Sequence, residues 1–345
     1  MIAGSTGRAP ILITGATGLL GSHIAGRLIA RGDRVRALVR PSSDVGFLRG
    51  LGVELVQGDL ATPDDCRRAV EGVATIFHSA AKVGDWGGWQ EFRVGTLDAT
   101  ANLAGAAIRE GVGRFVHVSS TSAYGHPTEG GPIVDESAPL GLHLWPVWDY
   151  YTRSKVESER ILWQHAREDG LSLTVIRPSW LYGERDRTTT ARLVTRIRAG
   201  KVPLIGRGDN PLSAIYAGNV ADAAILAADD PGSIGEAYNI TSMGPITQRE
   251  WLNLFADACG APHPHRSVSY RLVFAVATGL EAVARARRRR TPPLITRYAT
   301  WLMGRNLAYS TVKAETRLGW RPAIGYRESI ERTVRWYTDS LRGQD

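Results

Sequence analysis

Sulfur is scarce in this chain, and acid is outnumbered by base. Only two cysteines, Cys66 and Cys259, and three methionines occur among 345 residues. Two cysteines exclude a disulfide framework and a four-cysteine zinc site, and they fit a reducing compartment. A chain of this length buries roughly 75% of its unfolded surface, so it needs no such staple. No apolar run reaches the ~18 residues of a membrane-spanning helix. The opening residues MIAGSTGRA lack an apolar h-region, so no secretory signal is read and a cytoplasmic location is expected. Asp and Glu number 34 against 42 Lys and Arg, a net charge of +8. Such a balance admits nucleic acid, an anionic membrane or a phosphorylated ligand. Nucleic-acid binding calls for basic groups interleaved with stacking aromatics. The densest basic cluster, Arg285 to Arg290, has no such interleaving, and no nucleic-acid partner is expected.

What is present is a regular alternation. From Pro10 to Arg177 short apolar runs alternate with amphipathic segments. The runs are Ile11–Thr14, Val35–Val39, Val53–Gln57, Thr75–Ser79, Phe115–Ser119 and Leu173–Arg177. Continuous apolar strands separated by helices predict a parallel sheet covered on both faces. The helical candidates include Ser22–Arg31, Pro63–Val70, Thr96–Arg109 and Val147–Glu168. This is the sequence form of a doubly wound α/β Rossmann sheet. We expect a dinucleotide-binding domain over 8–180 and a smaller, mostly helical substrate lobe over 181–345. A strand near Tyr238–Thr241 should return to the sheet.

Residues 14–21 read TGATGLLG, after a strand and before a helix. Gly15 permits a tight turn, Gly18 lets the backbone approach a pyrophosphate, and Gly21 allows close helix–strand packing. Free N–H groups at the helix start then face the anion. Thr17, Leu19 and Leu20 complete this expected cradle. At the end of strand two an NAD site usually carries an acid for the ribose 2′-hydroxyl. Here Val39 holds that place and Arg40 follows, while Asp33 precedes the strand. A guanidinium matches a 2′-phosphate, so NADP(H) is the expected cofactor, with NAD(H) as the alternative. Asp59 and Leu60, after strand three, are expected beside the adenine.

Tyr151 and Lys155 are spaced i, i+4 on a predicted helix and share one face. Ser120 lies just past strand five, at the end of the sheet where such folds bind ligands. The three could converge on a carbonyl: a phenol as acid or base, an ammonium that lowers its pKa, and a hydroxyl that orients the oxygen. Tyr150 is a poorer choice, because its i+4 neighbour is Ser154.

TGATGLLG, Ser120 and Tyr151-Thr-Arg-Ser-Lys155 resemble the extended short-chain dehydrogenase/reductase superfamily over nearly the whole chain. That resemblance implies that Ala80, Ala81, Lys82, Ser119 and Pro178 border the cofactor. Thr96 falls where the superfamily commonly has asparagine. Its dehydratases carry Thr-Asp-Glu where this chain has Ser120, Thr121 and Ser122, so dehydration is set aside; a sugar-nucleotide epimerase and a non-catalytic dinucleotide-binding protein are the rival readings. IYAGNVADAAILAA (215–228), the stretch 292–322 and FHSAAKVGDWG (77–87) are similar to the 3β-hydroxysteroid dehydrogenase and 2-alkyl-3-oxoalkanoate reductase branch. The resemblance implies interconversion of a ketone and a secondary alcohol on a largely apolar substrate.

Local composition agrees. Trp86, Thr121, Trp145 and Trp180 are the candidate substrate contacts, since aromatic walls suit an apolar ligand. Leu272–Ala284 is an apolar helical stretch ending in the arginine run, a pattern suited to peripheral membrane contact over 272–290. A homodimer is the expected assembly. His263, His265 and Cys259 lack a fourth ligand, and no metal is expected.

Overall fold

A computed structural model describes residues 9–127, 130–141, 149–186 and 189–342. Six strands of the first half are β1 (Ile11–Thr14), β2 (Val35–Val39), β3 (Glu54–Gln57), β4 (Thr75–His78), β5 (Arg114–Val118) and β6 (Leu173–Pro178). They pair in the order β3, β2, β1, β4, β5, β6, and Glu236–Ile240 adds a seventh strand at the β6 edge. Every pairing is parallel. The order reverses between β1 and β4, which makes a switch point at the carboxyl ends of those strands.

The strands are continuous apolar runs because both faces are covered. Leu12 and Phe115 face one core with Cys66, Leu103, Ala107 and Leu162. Their neighbours Ile13 and Val116 face the other, with Ile24 and Leu28 of the helix Leu19–Ala30 and Val220 and Ala224 of the helix Ala217–Asp229. The sheet's second layer thus draws on residues beyond 180. A third core, around Tyr182, Trp251, Phe255 and Ile330, supports the later helices.

Helix starts differ from the sequence expectation. The first helix begins at Leu19 rather than Ser22, so its free first-turn N–H groups belong to the glycine loop itself. The expected helix from Thr96 begins at Ala99, preceded by a π-helical turn over Arg93–Asp98. Within that turn the buried Thr96 hydroxyl accepts the Lys82 amide at 3.0 Å. Such turns cost backbone regularity and gather at functional sites.

Candidate active site

The glycine loop is built around close approach. Gly15 has φ +71°, and a Cβ there would lie 2.7 Å from the Ala80 nitrogen. A Cβ on Gly21 would meet the Gly15 carbonyl oxygen at 2.3 Å, whereas Gly18 meets nothing closer than 3.2 Å. Gly15 and Gly21 therefore lock the loop onto β4 and onto the helix, while a Cβ on Gly18 would press only on the Gly15 carbonyl oxygen. Gly18 caps the helix in an extended conformation, without a side-chain acceptor. The Leu19 and Leu20 amides start the helix and so lack intrahelical acceptors. This cradle fits a dinucleotide pyrophosphate.

Around the cradle the expected residues fall at the carboxyl ends of the strands. Arg40 is exposed immediately after β2, and Asp33, before β2, is buried in a pair with Arg31. Asp59 Oδ1 accepts the Ala61 amide at 2.9 Å, which makes it a turn-forming aspartate with one oxygen remaining. The Leu60 carbonyl takes a hydrogen bond from Asn102 at 2.9 Å. Ala80, Ala81 and Lys82 follow β4, and Lys82 Nζ pairs with Glu91 at 3.1 Å. Pro178 is buried at the end of β6. Ser119 behaves differently: its hydroxyl donates to the buried Glu159 at 2.6 Å and its amide to the Ile176 carbonyl at 2.8 Å.

Ser120 follows β5, and Tyr151 and Lys155 lie one turn apart on the helix Tyr150–Glu168. The Tyr151 hydroxyl is hydrogen-bonded to Ser120. Tyr150 instead packs on Trp89 and Phe92. Lys155 Nζ is buried and donates to the Val118 carbonyl at 3.1 Å. Asp149 caps the helix Tyr150–Glu168 by accepting the Thr152 amide at 3.0 Å, and its other oxygen pairs with His126 at 2.7 Å. Below the site, Glu159 joins Ser119, Trp163 and Arg177, and Arg177 donates to the Tyr124 hydroxyl at 2.7 Å.

The electrostatics correct one expectation. We expected Lys155 to lower the phenol's pKa. Burial instead raises the Tyr151 pKa above its usual value, the Ser120 hydrogen bond opposes that rise, and the Asp149 carboxylate adds to it. Lys155 is itself brought down to about 8 by burial, with Glu159 pulling the other way. The phenol therefore stands protonated at neutral pH. His78 is fully buried, bonded to Thr14 and Thr100, and lowered to about 3 by burial. It is a neutral core residue.

The substrate candidates separate. Thr121 is buried beside Ser120 and is hydrogen-bonded to the Tyr309 hydroxyl. Trp86 is also buried; its indole N–H donates to the Arg289 carbonyl at 3.0 Å and Arg285 lies over its ring, so it fastens a loop. Trp180 packs on Trp251 at 5.0 Å in the third core. Trp145 lies outside the described residues.

One residue that sequence reasoning missed stands beside the phenol. The Tyr298 ring meets Tyr151 edge-on at 5.8 Å, and its hydroxyl lies 2.7 Å from Ser122 Oγ. Ser122 in turn holds Ser120 through both its amide and its hydroxyl, each at 3.1 Å. Tyr298 belongs to the helix Arg297–Gly304. Only its place inside the stretch 292–322 pointed to it.

A doubly wound sheet, a pyrophosphate cradle and a serine–tyrosine–lysine cluster at the switch-point end define an oxidoreductase fold of the extended short-chain dehydrogenase/reductase type. The chain belongs to the NAD dependent epimerase/dehydratase family, whose family model matches residues 11–241. It is 30% identical to a 2-alkyl-3-oxoalkanoate reductase of Stenotrophomonas maltophilia, over 93% of this chain and 97% of that one. It is 32% identical to a 3 beta-hydroxysteroid dehydrogenase/Delta 5-->4-isomerase of Mycobacterium tuberculosis, over 95% of this chain and 90% of that one. A crystal structure of gox2253 superposes with a TM-score of 0.81 at 29% identity, covering 97% of this chain and 99% of the other.

Proposed function

We propose that this chain reduces a ketone on a largely apolar substrate to a secondary alcohol, using NADPH. The observation that carries the reading is the placement of Ser120 after β5 and of Tyr151 and Lys155 one turn apart on the helix Tyr150–Glu168, beside the glycine cradle. A protonated phenol suits the reductive direction, in which the carbonyl oxygen gains a proton. Bound NADPH supplies the hydride. Ser120 orients the carbonyl oxygen, and Tyr151 donates its proton to that oxygen as negative charge develops there. Lys155 is buried within one helical turn of Tyr151 and would hold the nicotinamide ribose. The backbone at 18–20 would hold the pyrophosphate. Arg40, exposed at the end of β2 with no neighbouring carboxylate at Val39, supports the 2′-phosphate.

The two relatives' names, a 3-oxoalkanoate reductase and a hydroxysteroid dehydrogenase, support the oxygen chemistry and the apolar class. The aromatic wall at Tyr298 and Trp301, whose rings lie 6.0 Å apart, agrees with it. The test is a screen of 2-alkyl-3-oxo acids and steroid ketones against NADPH, followed by its absorbance. Turnover of an apolar ketone with net loss of NADPH is expected. Co-purification of firmly held NAD, with no ketone reduced and a sugar nucleotide epimerised, would sink the reading.

A further inference from the structure

The helix Tyr270–Ala286 has an outer face unlike that of an ordinary surface helix. Its inner face packs through Val273, Ala277, Glu281 and Ala284. Its exposed side chains between Arg271 and Arg285 are Leu272, Ala275, Val276, Leu280, Ala282 and Val283. None is charged. Leu272 is 57% exposed and Val283 51%. A surface helix normally turns charged and polar groups to water. The one charge in this stretch, Glu281, points inward, where it pairs with Arg297 at 2.8 Å. The apolar face runs from 272 to 283, about 18 Å at 1.5 Å per residue.

Charge is gathered at the ends of this face. Arg287, Arg288, Arg289 and Arg290 are all exposed just past the helix, and Arg271 is exposed at its start. Leu294, 77% exposed, follows the arginine run. No helix among the described residues is long and apolar enough to cross a membrane. An apolar face bounded by cations suits lying in a lipid interface instead, with the side chains among the acyl chains and the arginines at anionic headgroups.

We infer that the helix Tyr270–Ala286 and the run Arg287–Arg290 dock the protein on an anionic lipid surface. A second copy of the chain is the poorer occupant. Between Arg271 and Leu294 the one carboxylate is the buried Glu281, so pairing this face with itself meets exposed arginine at either end with no carboxylate of the same segment to answer it. The docked helix stands directly behind the site, because Glu281 on its inner face holds Arg297, the residue before Tyr298. The docking inference does not depend on which ketone, or which cofactor, the site accepts.

The test is co-sedimentation of the full chain with vesicles of phosphatidylcholine alone and of phosphatidylcholine mixed with phosphatidylglycerol. Two variants are compared: Val276→Asp with Leu280→Asp, and Arg287→Gln, Arg288→Gln, Arg289→Gln and Arg290→Gln together. All these side chains face solvent, so the thermal melt by circular dichroism should be retained. If the aspartate variant fails to fold, the glutamine variant carries the test alone. We expect the parent chain to pellet with the anionic vesicles and less with the neutral ones. Each variant should pellet at least about tenfold less, and raising the salt from ~0.1 M to ~1 M should release the parent. The inference is overturned if the chain stays in the supernatant with anionic vesicles, or if a folded variant pellets like the parent. It is also overturned if, without lipid, Val276→Asp with Leu280→Asp turns an oligomer into a monomer in sedimentation velocity. That result assigns the face to a second copy.

Discussion

Tyr298 and Ser122 are hydrogen-bonded at 2.7 Å although 176 residues separate them in the chain. The bond brings a late helix down onto the serine–tyrosine pair, and the Tyr298 ring stands against Tyr151. A substrate carbonyl must reach the same Tyr151 hydroxyl, and the Tyr298 ring stands beside it. Tyr298→Ala should widen the site. We expect the ratio of kcat/KM for a bulky ketone over a small one to rise by roughly tenfold, the scale of modest pocket contacts. Tyr298→Phe keeps the ring and should leave that ratio near the parent's. An unchanged ratio in the alanine variant would remove Tyr298 from the substrate wall.

Tyr151→Phe removes one hydroxyl and keeps the ring's packing. The lost group is the hydrogen-bond partner of Ser120. Turnover should fall by roughly 10²-fold or more, the low end for a positioned acid–base group. The dissociation constant for NADPH, read by fluorescence, should change little. Turnover within about twofold of the parent would show that another group supplies the proton.

The sheet could be read from the sequence because its signals are local. β1 and β2 fall at Ile11–Thr14 and Val35–Val39 as expected, since each is an apolar run closed by a polar or glycine turn. Gly15 and Gly21 could be read because only glycine fits where a Cβ would strike backbone. The π-turn at Arg93–Asp98 could not, because its residues have ordinary helical preferences. Tyr298 and Glu159 were missed for a second reason. Their roles come from contacts across the fold, 2.7 Å to Ser122 and 3.0 Å to Arg177, and no spacing in the chain encodes them. The phenol's raised pKa was misjudged likewise. It depends on burial and on Asp149, neither of which the Tyr-x-x-x-Lys spacing reveals.

Arg40 tests the cofactor choice. It is exposed directly after β2, and its neighbour Val39 offers no carboxylate to a ribose 2′-hydroxyl. Arg40→Ala should weaken NADPH binding by roughly tenfold or more, the scale of a lost charge-assisted hydrogen bond, and leave NADH binding nearly unchanged. Titrating both cofactors against both proteins measures this. A parent chain that prefers NADH would show that the end of β2 has been misread.

Glu159 lies one helical turn past Lys155 with its side chain fully buried, paired to Arg177. Its charge acts on the lysine. Burial brings the Lys155 pKa down to about 8, and the Glu159 carboxylate opposes that fall. If the ammonium is the form that works, kcat/KM for reduction should fall as the pH rises through about 8. Glu159→Gln removes the attraction for the lysine's proton, so this alkaline limb should move to lower pH. The same change leaves Arg177 buried without its counter-charge, which should cost about 3–5 kcal/mol of stability. A lower melting temperature alone fits a purely structural Glu159. The displaced limb in the pH profile of the folded variant is what separates a positioning residue from a packing one, and a limb left in place would deny Glu159 any hold on Lys155.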